Sequence, residues 1–185
     1  MELKRRTLFL SGLALATGGA VLASAAPGLA FPETDVRRLS FNNLHTNELL
    51  DVAYWENGAY VPDALDAVNT VLRDFRTGEV HEINPHLLDL LVLLQGRVDS
   101  AGDRFEVISG YRSPQTNAML HDQSAEVAVH SLHMEGMAID MHLPRVDLIN
   151  LRDAAISLGL GGVGYYPSSN FVHADVGKVR TWAGS

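Results

Sequence analysis

The chain has 185 residues, 46% of them hydrophobic and 19% charged, which is enough for one domain with an ordinary core. It contains eight histidines and no cysteine, which excludes disulfide bonds, cysteine-ligated zinc or iron–sulfur sites and a thiol nucleophile. Its net charge of −8 argues against a nucleic-acid-binding protein, which normally presents a basic surface. A metal site in this chain would therefore have to use imidazole and carboxylate ligands.

The first thirty residues differ in composition from the rest of the chain. Lys4, Arg5 and Arg6 precede an apolar run over residues 8–26, and small residues follow as far as Ala30. This order is typical of a secretory signal peptide, and its start resembles a twin-arginine signal. The alternative is an uncleaved membrane anchor, but the Gly, Ser and Thr residues within the run make it a poor one. We predict a twin-arginine-type signal peptide over residues 1–30, export to the periplasm, and no stable membrane insertion after cleavage.

The remaining segment, residues 31–185, predicts one domain of short strands and helices. Strands are predicted where β-branched and aromatic residues cluster between turn signals: residues 36–41, 105–109, 137–143, 163–166 and 171–176, with a hairpin around Asn57-Gly58. Helices are predicted where apolar residues recur at helical spacing: residues 62–75, a second helix behind an Asn84 N-cap, 114–121 and 147–158. Long helices early and short strands late favour an α+β class, with a small antiparallel sheet flanked by helices.

The most informative stretch of the chain begins at His133. Asp140 follows seven positions later, inside a predicted strand. This spacing does not place two ligands on one helical turn, but it fits a loop histidine that folds back over a strand. His173 and Asp175 share one face of the last predicted strand, so pairing of the two strands would bring His133, Asp140 and His173 together. Two imidazoles and a carboxylate with a fourth position open to water are typical of a catalytic zinc site.

Two motifs in this chain resemble those of a known group of zinc peptidases. The pattern Ser-x-His-x-x-Gly-x-Ala-x-Asp at residues 131–140 resembles the first metal motif of peptidases related to D-Ala-D-Ala carboxypeptidases, L-alanyl-D-glutamate peptidases and hedgehog domains. The Ser-Gly-Tyr-Arg sequence at residues 109–112 resembles an upstream motif of that group. Residues 42–46 and 161–173 are similar to segments of one branch, the MepK-type (YcbK-like) murein endopeptidases. The resemblance covers essentially the whole segment after the leader.

This resemblance implies a zinc-dependent peptidoglycan endopeptidase that cleaves D-Ala–diaminopimelate or diaminopimelate–diaminopimelate cross-links between stem peptides. It implies that His133, Asp140 and His173 are the zinc ligands. Arg112 would bind a substrate carboxylate or stabilise developing negative charge, because a guanidinium suits both tasks. Two alternatives stay open: a D,D-carboxypeptidase that trims stem peptides, and an inactive relative that only binds murein.

The chain departs from the wider group at the general base. Many relatives have an acidic residue two or three positions before the third ligand, where this sequence has Asn170 and Phe171. Asn170 cannot accept a proton, so the first candidate is Asp175, either as the base or as a carboxylate that orients a metal ligand. His142 is the second candidate, because it shares a strand face with Asp140.

Two tyrosines are candidate substrate contacts. Tyr111 lies in the Ser-Gly-Tyr-Arg motif, and Tyr166 lies in the segment that leads to the third ligand. Aromatic rings with a polar end are common in binding grooves. We predict that both tyrosines contact peptidoglycan stem peptides, and we expect no nucleic-acid partner.

Overall fold

The computed structural model describes Phe31, residues 36–124 and residues 127–184, so the predicted leader lies outside the described residues. The described strands form one sheet, in the order β3-β2-β1-β4-β5-β7-β6-β8. In chain order they are β1 (Val36–Asn43), β2 (Glu48–Glu56), β3 (Ala59–Tyr60), β4 (Arg104–Ser109), β5 (Ala138–His142), β6 (Gly162–Tyr166), β7 (Phe171–Asp175) and β8 (Arg180–Ala183).

The described helices begin and end at recognisable local signals. They are α1 (Pro62–Val71), α2 (Pro85–Arg97), α3 (Pro114–Gln123) and α4 (Leu148–Leu158). The first three start at a proline. Proline lacks a backbone N–H, but an N–H in the first turn would have no acceptor within the helix, so no hydrogen bond is lost. The side chains of Asn84 and Ser113 cap α2 and α3 by accepting backbone hydrogen bonds, and α4 ends at a left-handed Gly159. None of the helices in the described ranges is long and apolar enough to cross a membrane.

The core lies between the sheet and the helices. The second helix is buried nearly all round and packs against β1 and α4, while α4 also packs against β6 and β7. On β5, Ile139 and Met141 point into this core, and on β7 Val172 and Ala174 do the same. Because side chains alternate along a strand, the residues between them face the other side of the sheet. That opposite face is where the candidate site lies.

The predicted α+β single domain is confirmed, but the sheet is larger than expected and is mixed. Strand β1 runs parallel to β4, and β6 runs parallel to β8. The first parallel pair arises because α1 and α2 lie between its strands in the chain, which gives the long connection that parallel pairing requires. The last strand, β8, was missed because three of its four residues are exposed and it shows no apolar alternation. The first helix ends at Val71, before the predicted Phe75.

Candidate metal centre and cleft

Two neighbouring strands place two of the three predicted ligands side by side. Asp140 on β5 and His173 on β7 are direct partners in the antiparallel register. The pair lies on the face of the sheet opposite the core, and both residues are buried. Nδ1 of His173 lies 2.8 Å from Oδ1 of Asp140. Strand alternation and strand pairing are therefore sufficient to bring these two side chains together.

His133 joins this pair from a short 3-10 helix, Leu132–Glu135, just before β5. Ser131 caps the turn, and Gly136, in the left-handed region at φ 64°, reverses the chain towards β5. Nδ1 of His133 lies 2.7 Å from the carbonyl oxygen of Gly110. A carbonyl oxygen only accepts hydrogen bonds, so this contact places the proton on Nδ1 and leaves Nε2 as the free donor atom for a metal.

The three side chains form a group that could hold a metal ion. Nε2 of His133 lies 3.2 Å from Nδ1 of His173 and 3.3 Å from Oδ1 of Asp140. All three ligand atoms lie within 4.8 Å of one another. Tetrahedral bonds of about 2.1 Å would separate neighbouring ligand atoms by about 3.4 Å. The two distances from His133 are close to this value, whereas the 2.8 Å between His173 and Asp140 is the length of a hydrogen bond. The donor set and its spacing therefore fit a tetrahedral ion such as zinc.

Burial and mutual charge shift the pKa values of the three groups in different directions. Burial lowers the pKa of His133, which favours the neutral imidazole that metals bind. Burial would raise the pKa of Asp140, but the two neighbouring histidines outweigh it and hold that pKa well below its usual range. Burial would lower the pKa of His173, but hydrogen bonds with Asp140 and Asp175 outweigh it and raise that pKa to about 9. Without a metal, these shifts favour a neutral His133 and a His173 that carries a proton on both ring nitrogens.

Asp175 lies behind His173 rather than in front of it. Its Oδ2 is 3.1 Å from Nε2 of His173, the ring nitrogen that does not face Asp140. Its carboxylate also accepts from the backbone N–H groups of Gly162 and Gly177 and from both terminal nitrogens of Arg180. Burial raises its pKa, but these bonds outweigh burial and lower it strongly. Asp175 is fully buried and is not among the described residues that line the cleft.

Arg112 lies beside the cluster, in the segment between β4 and α3. Its Nη2 is 3.4 Å from Oδ2 of Asp140 and 3.2 Å from Oγ of Ser109. Its Nε is buried and has no hydrogen-bond partner among the described residues. Burial lowers its pKa and the charge of Asp140 opposes that shift, so this arginine stays charged. The charged guanidinium therefore lies at the edge of the cluster, and Arg112 is one of the residues that line the cleft.

The cluster lies in a cleft of about 420 Å³ whose wall is partly aromatic. Tyr166 stacks on Phe171 at 4.5 Å and accepts a hydrogen bond from Nε1 of Trp182. Trp182 lies opposite Gly164 in the sheet, and Gly164 lies opposite His173. A Cβ at Gly164 would lie 2.6 Å from the indole, so the absence of a side chain lets Trp182 cover the strand and approach His173, with ring centroids 5.1 Å apart. These rings shape the wall next to the cluster.

Two of the predicted site residues lie elsewhere. Nε2 of His142 pairs with Glu106 on the adjacent strand at 2.8 Å. The hydroxyl of Tyr111 donates to Glu79 at 2.7 Å, and its ring stacks on His81. Neither His142 nor Tyr111 is among the described residues that line the cleft. Their predicted roles in proton transfer and substrate contact stay predictions.

The sequence motifs do not single out Arg180 or Trp182 as site residues. Both residues lie on β8 and line the cleft. Arg180 holds Asp175, and Trp182 forms part of the aromatic wall. An Arg-x-Trp pair near the end of the chain is a weak signal by itself, because only the pairing of β8 with β6 reveals what it contacts.

An α+β domain with two imidazoles and a carboxylate in a cleft fits the class of metal-dependent enzymes, which includes the zinc peptidases. The comparisons name the family. Residues 32–182 match the peptidase family Peptidase_M15_2, described as "Peptidoglycan L,D-endopeptidase MepK", and the chain belongs to this family. The expected family membership and the prediction of a metallopeptidase are thereby confirmed.

Curated relatives support the same assignment over nearly the whole chain. The chain is 41% identical to Peptidoglycan L,D-endopeptidase MepK of Escherichia coli K12 over 180 residues, which is 97% of this chain and 96% of the relative. It is also 41% identical to Probable peptidoglycan L,D-endopeptidase MepK of Haemophilus influenzae over 182 residues, 98% of this chain and 96% of the relative. No solved structure matches.

Proposed function

We propose that this protein is an exported, zinc-dependent peptidoglycan endopeptidase that cleaves peptide cross-links between stem peptides. One observation carries the proposal: the ligand atoms of His133, Asp140 and His173 converge in a cleft, in a chain that belongs to a peptidoglycan endopeptidase family. The substrate comes from the names of the relatives, which are peptidoglycan L,D-endopeptidases. Action on peptidoglycan requires a location outside the cytoplasm, which agrees with the predicted periplasmic export by the twin-arginine route.

Zinc is the metal that we propose for the cluster. His133 would bind it through Nε2, His173 through Nδ1 and Asp140 through its carboxylate. Nitrogen and oxygen ligands in a three-residue set with an open position are typical of catalytic zinc. When bound, zinc supplies Lewis-acid polarisation of the scissile carbonyl and activation of a water molecule.

The neighbours of the two histidines fix which nitrogen is available to the metal. The Gly110 carbonyl keeps a proton on Nδ1 of His133, and the Asp175 carboxylate keeps one on Nε2 of His173. Each contact also fixes the orientation of its ring. We therefore propose that Asp175 acts as the carboxylate that orients a ligand, since its oxygens are occupied and it does not line the cleft.

Arg112 is the proposed substrate-facing cation. Its guanidinium borders Asp140 and Arg112 lines the cleft, so its N–H donors lie beside the space where an incoming group would bind. A carboxylate of the stem peptide, or the oxyanion that develops during peptide hydrolysis, would accept hydrogen bonds from this guanidinium. Tyr166 forms the adjoining part of the wall and is the proposed aromatic contact for the peptide.

The names of the relatives favour one of the two cross-links. A diaminopimelate–diaminopimelate cross-link joins the L-centre of one residue to the D-centre of the next, which is an L,D bond. A D-Ala–diaminopimelate cross-link joins two D-centres. Because the relatives are L,D-endopeptidases, we propose the diaminopimelate–diaminopimelate cross-link as the preferred substrate.

Defined muropeptides test the proposal directly. The zinc-loaded protein is incubated separately with dimers of each cross-link and with uncross-linked stems, and the products are identified by mass. We expect dimers joined through two diaminopimelate residues to become monomers. Loss of only a terminal D-Ala from monomers would indicate a D,D-carboxypeptidase instead. Zinc binding without cleavage of any substrate would indicate an inactive murein-binding relative.

A further inference from the structure

Asp74 is a buried carboxylate outside the described lining of the cleft, and the chemistry above does not use it. It lies in the turn after α1, with 2% of its surface exposed. Its Oδ1 accepts from the backbone N–H groups of Arg76 and Thr77 at 2.9 and 3.4 Å. Its Oδ2 accepts from the N–H and the hydroxyl of Ser113 at 2.9 and 2.7 Å. One carboxylate therefore joins the turn after α1 to the N-cap of α3.

The segment Gly110–Ser113, which connects β4 to α3, touches the same turn at two further points. The N–H of Tyr111 donates to the carbonyl oxygen of Leu72 at 2.7 Å. Gly110 packs so closely there that a Cβ would lie 2.5 Å from that oxygen. Leu72 and Asp74 therefore fix one side of this segment.

The other side of the segment supports the metal cluster. The Gly110 carbonyl accepts from Nδ1 of His133 at 2.7 Å, and the Arg112 N–H donates to the carbonyl oxygen of His133 at 3.1 Å. The Arg112 side chain reaches Asp140 at 3.4 Å. A shift of the segment would move the ring of a ligand and the neighbouring guanidinium together.

We propose that Asp74 is a positioning residue that sets the orientation of His133 and Arg112 through the segment Gly110–Ser113. The part that concerns Arg112 rests on the proposed function, whereas the part that concerns His133 can be measured through the metal alone. At least four donors converge on the two oxygens of Asp74. An amide in its place keeps one acceptor oxygen and turns an NH₂ towards the remaining donors. Asp74→Asn therefore keeps the shape and disturbs the anchor.

The experiment compares Asp74→Asn with Asp89→Asn in the full chain. Asp89 is the matched control, because it is also a buried carboxylate, accepts from Arg37, Tyr54 and Tyr60, and has no cleft residue among these partners. We expect both variants to melt at lower temperature. Only Asp74→Asn should weaken zinc affinity and reduce kcat/KM, each by about tenfold, the size expected when support of a ligand is lost.

Cobalt provides a spectroscopic readout that a merely structural role would not change. The visible absorption of Co²⁺ bound in place of zinc depends on the geometry of its ligands. We expect Asp74→Asn to alter this spectrum and Asp89→Asn to leave it as in the wild type. The proposal is overturned if the two variants show the same spectrum, zinc affinity and kcat/KM at comparable loss of melting temperature.

Ser113→Ala keeps the proposal testable if Asp74→Asn does not fold. It removes the 2.7 Å hydroxyl contact with Asp74 and the cap that this hydroxyl gives to the Thr116 N–H, and it keeps the backbone N–H contact with Asp74. We expect a roughly threefold loss of zinc affinity, smaller than the tenfold loss for Asp74→Asn because the backbone N–H contact remains. Wild-type zinc affinity would overturn the proposal. Failure of this proposal can be distinguished from failure of the proposed function. If the proposed function is wrong, the wild-type protein leaves every muropeptide intact, and the zinc affinities of the variants still test the role of Asp74.

Discussion

The Nε2 atom of His173 lies 3.1 Å from Oδ2 of Asp175, on the side of the imidazole that does not face Asp140. Asp175 is itself fixed by Arg180 and by two backbone N–H groups, so it cannot turn towards the cleft without breaking them. The carboxylate therefore controls the proton and the orientation of a candidate ligand. This contact supports the proposal that Asp175 orients a ligand, and the variants below distinguish that role from a general base.

Asp175→Ala should weaken zinc affinity by about 10- to 100-fold, the usual effect of removing the partner of a ligating histidine. Asp175→Asn should lie between this variant and the wild type, because the amide oxygen can still accept from His173 but carries no charge. Competition with a chromophoric chelator measures the affinity. A variant with wild-type zinc affinity and a large loss of kcat would instead identify Asp175 as the general base.

His133→Ala, Asp140→Ala and His173→Ala should each abolish stoichiometric zinc binding, because each removes one of three converging ligand atoms. Chelation should lower the melting temperature of the wild type, since a ligand that binds only the folded state stabilises it, and should leave these variants unchanged. His86→Ala is the control, because its side chain is 77% exposed. Metal analysis and thermal melts provide the measurements, and full activity of metal-free protein would contradict the prediction.

The sequence was sufficient to predict the parts of this site that depend on local patterns. Asp140 and His173 alternate with core residues on paired strands, so their meeting follows from strand periodicity. The hydrogen bond between Nδ1 of His133 and the Gly110 carbonyl could not be predicted, because it joins residues 23 positions apart through a loop. Likewise, the pairing of β6 with β8 brings Gly164 and Trp182 together, and no local signal in the exposed β8 predicts that strand.

Zinc binding at pH 7 should release about one proton per ion. The lowered pKa of His133 leaves it neutral at this pH, and Asp140 is already ionised, so neither has a proton to lose. The pKa of His173 is raised to about 9, so the imidazole is protonated before the metal binds and must lose a proton on binding. Calorimetry in two buffers of different ionisation enthalpy measures the number. A value near zero would contradict the raised pKa of His173.

Gly164→Ala should displace the Trp182 ring, because the new Cβ would lie 2.6 Å from the indole. The ring packs near His173 and binds Tyr166, so the cleft wall should open and the KM for muropeptides should rise severalfold. Zinc affinity should change little, since no ligand atom is touched. Tryptophan fluorescence reports the movement, with Trp182→Phe identifying the contribution of Trp55. Unchanged fluorescence and an unchanged KM would contradict the prediction and show that the cleft wall accommodates the new methyl group.

The stabilising contribution of Asp74 should disappear in acid. Burial raises its pKa, but hydrogen bonds from Thr116 and Ser113 outweigh burial and lower the pKa from 3.8 to about 2. A carboxyl whose pKa is lower in the folded state stabilises the fold above the unfolded pKa, near 3.8, and loses this contribution as the pH falls through about 2. The shift corresponds to a contribution from Asp74 to the free energy of unfolding on the order of 2 kcal/mol.

Urea unfolding of the wild type and of Asp74→Asn at several pH values tests this contribution. The difference in free energy of unfolding between them should be constant above about pH 5 and should shrink between about pH 4 and pH 2, because only the wild type has a carboxyl to protonate at this position. Comparing the two proteins cancels the titration of Asp140 and Asp175, whose lowered pKa values affect both. A difference that stays constant down to pH 2 would mean that the charge of Asp74 does not stabilise the turn.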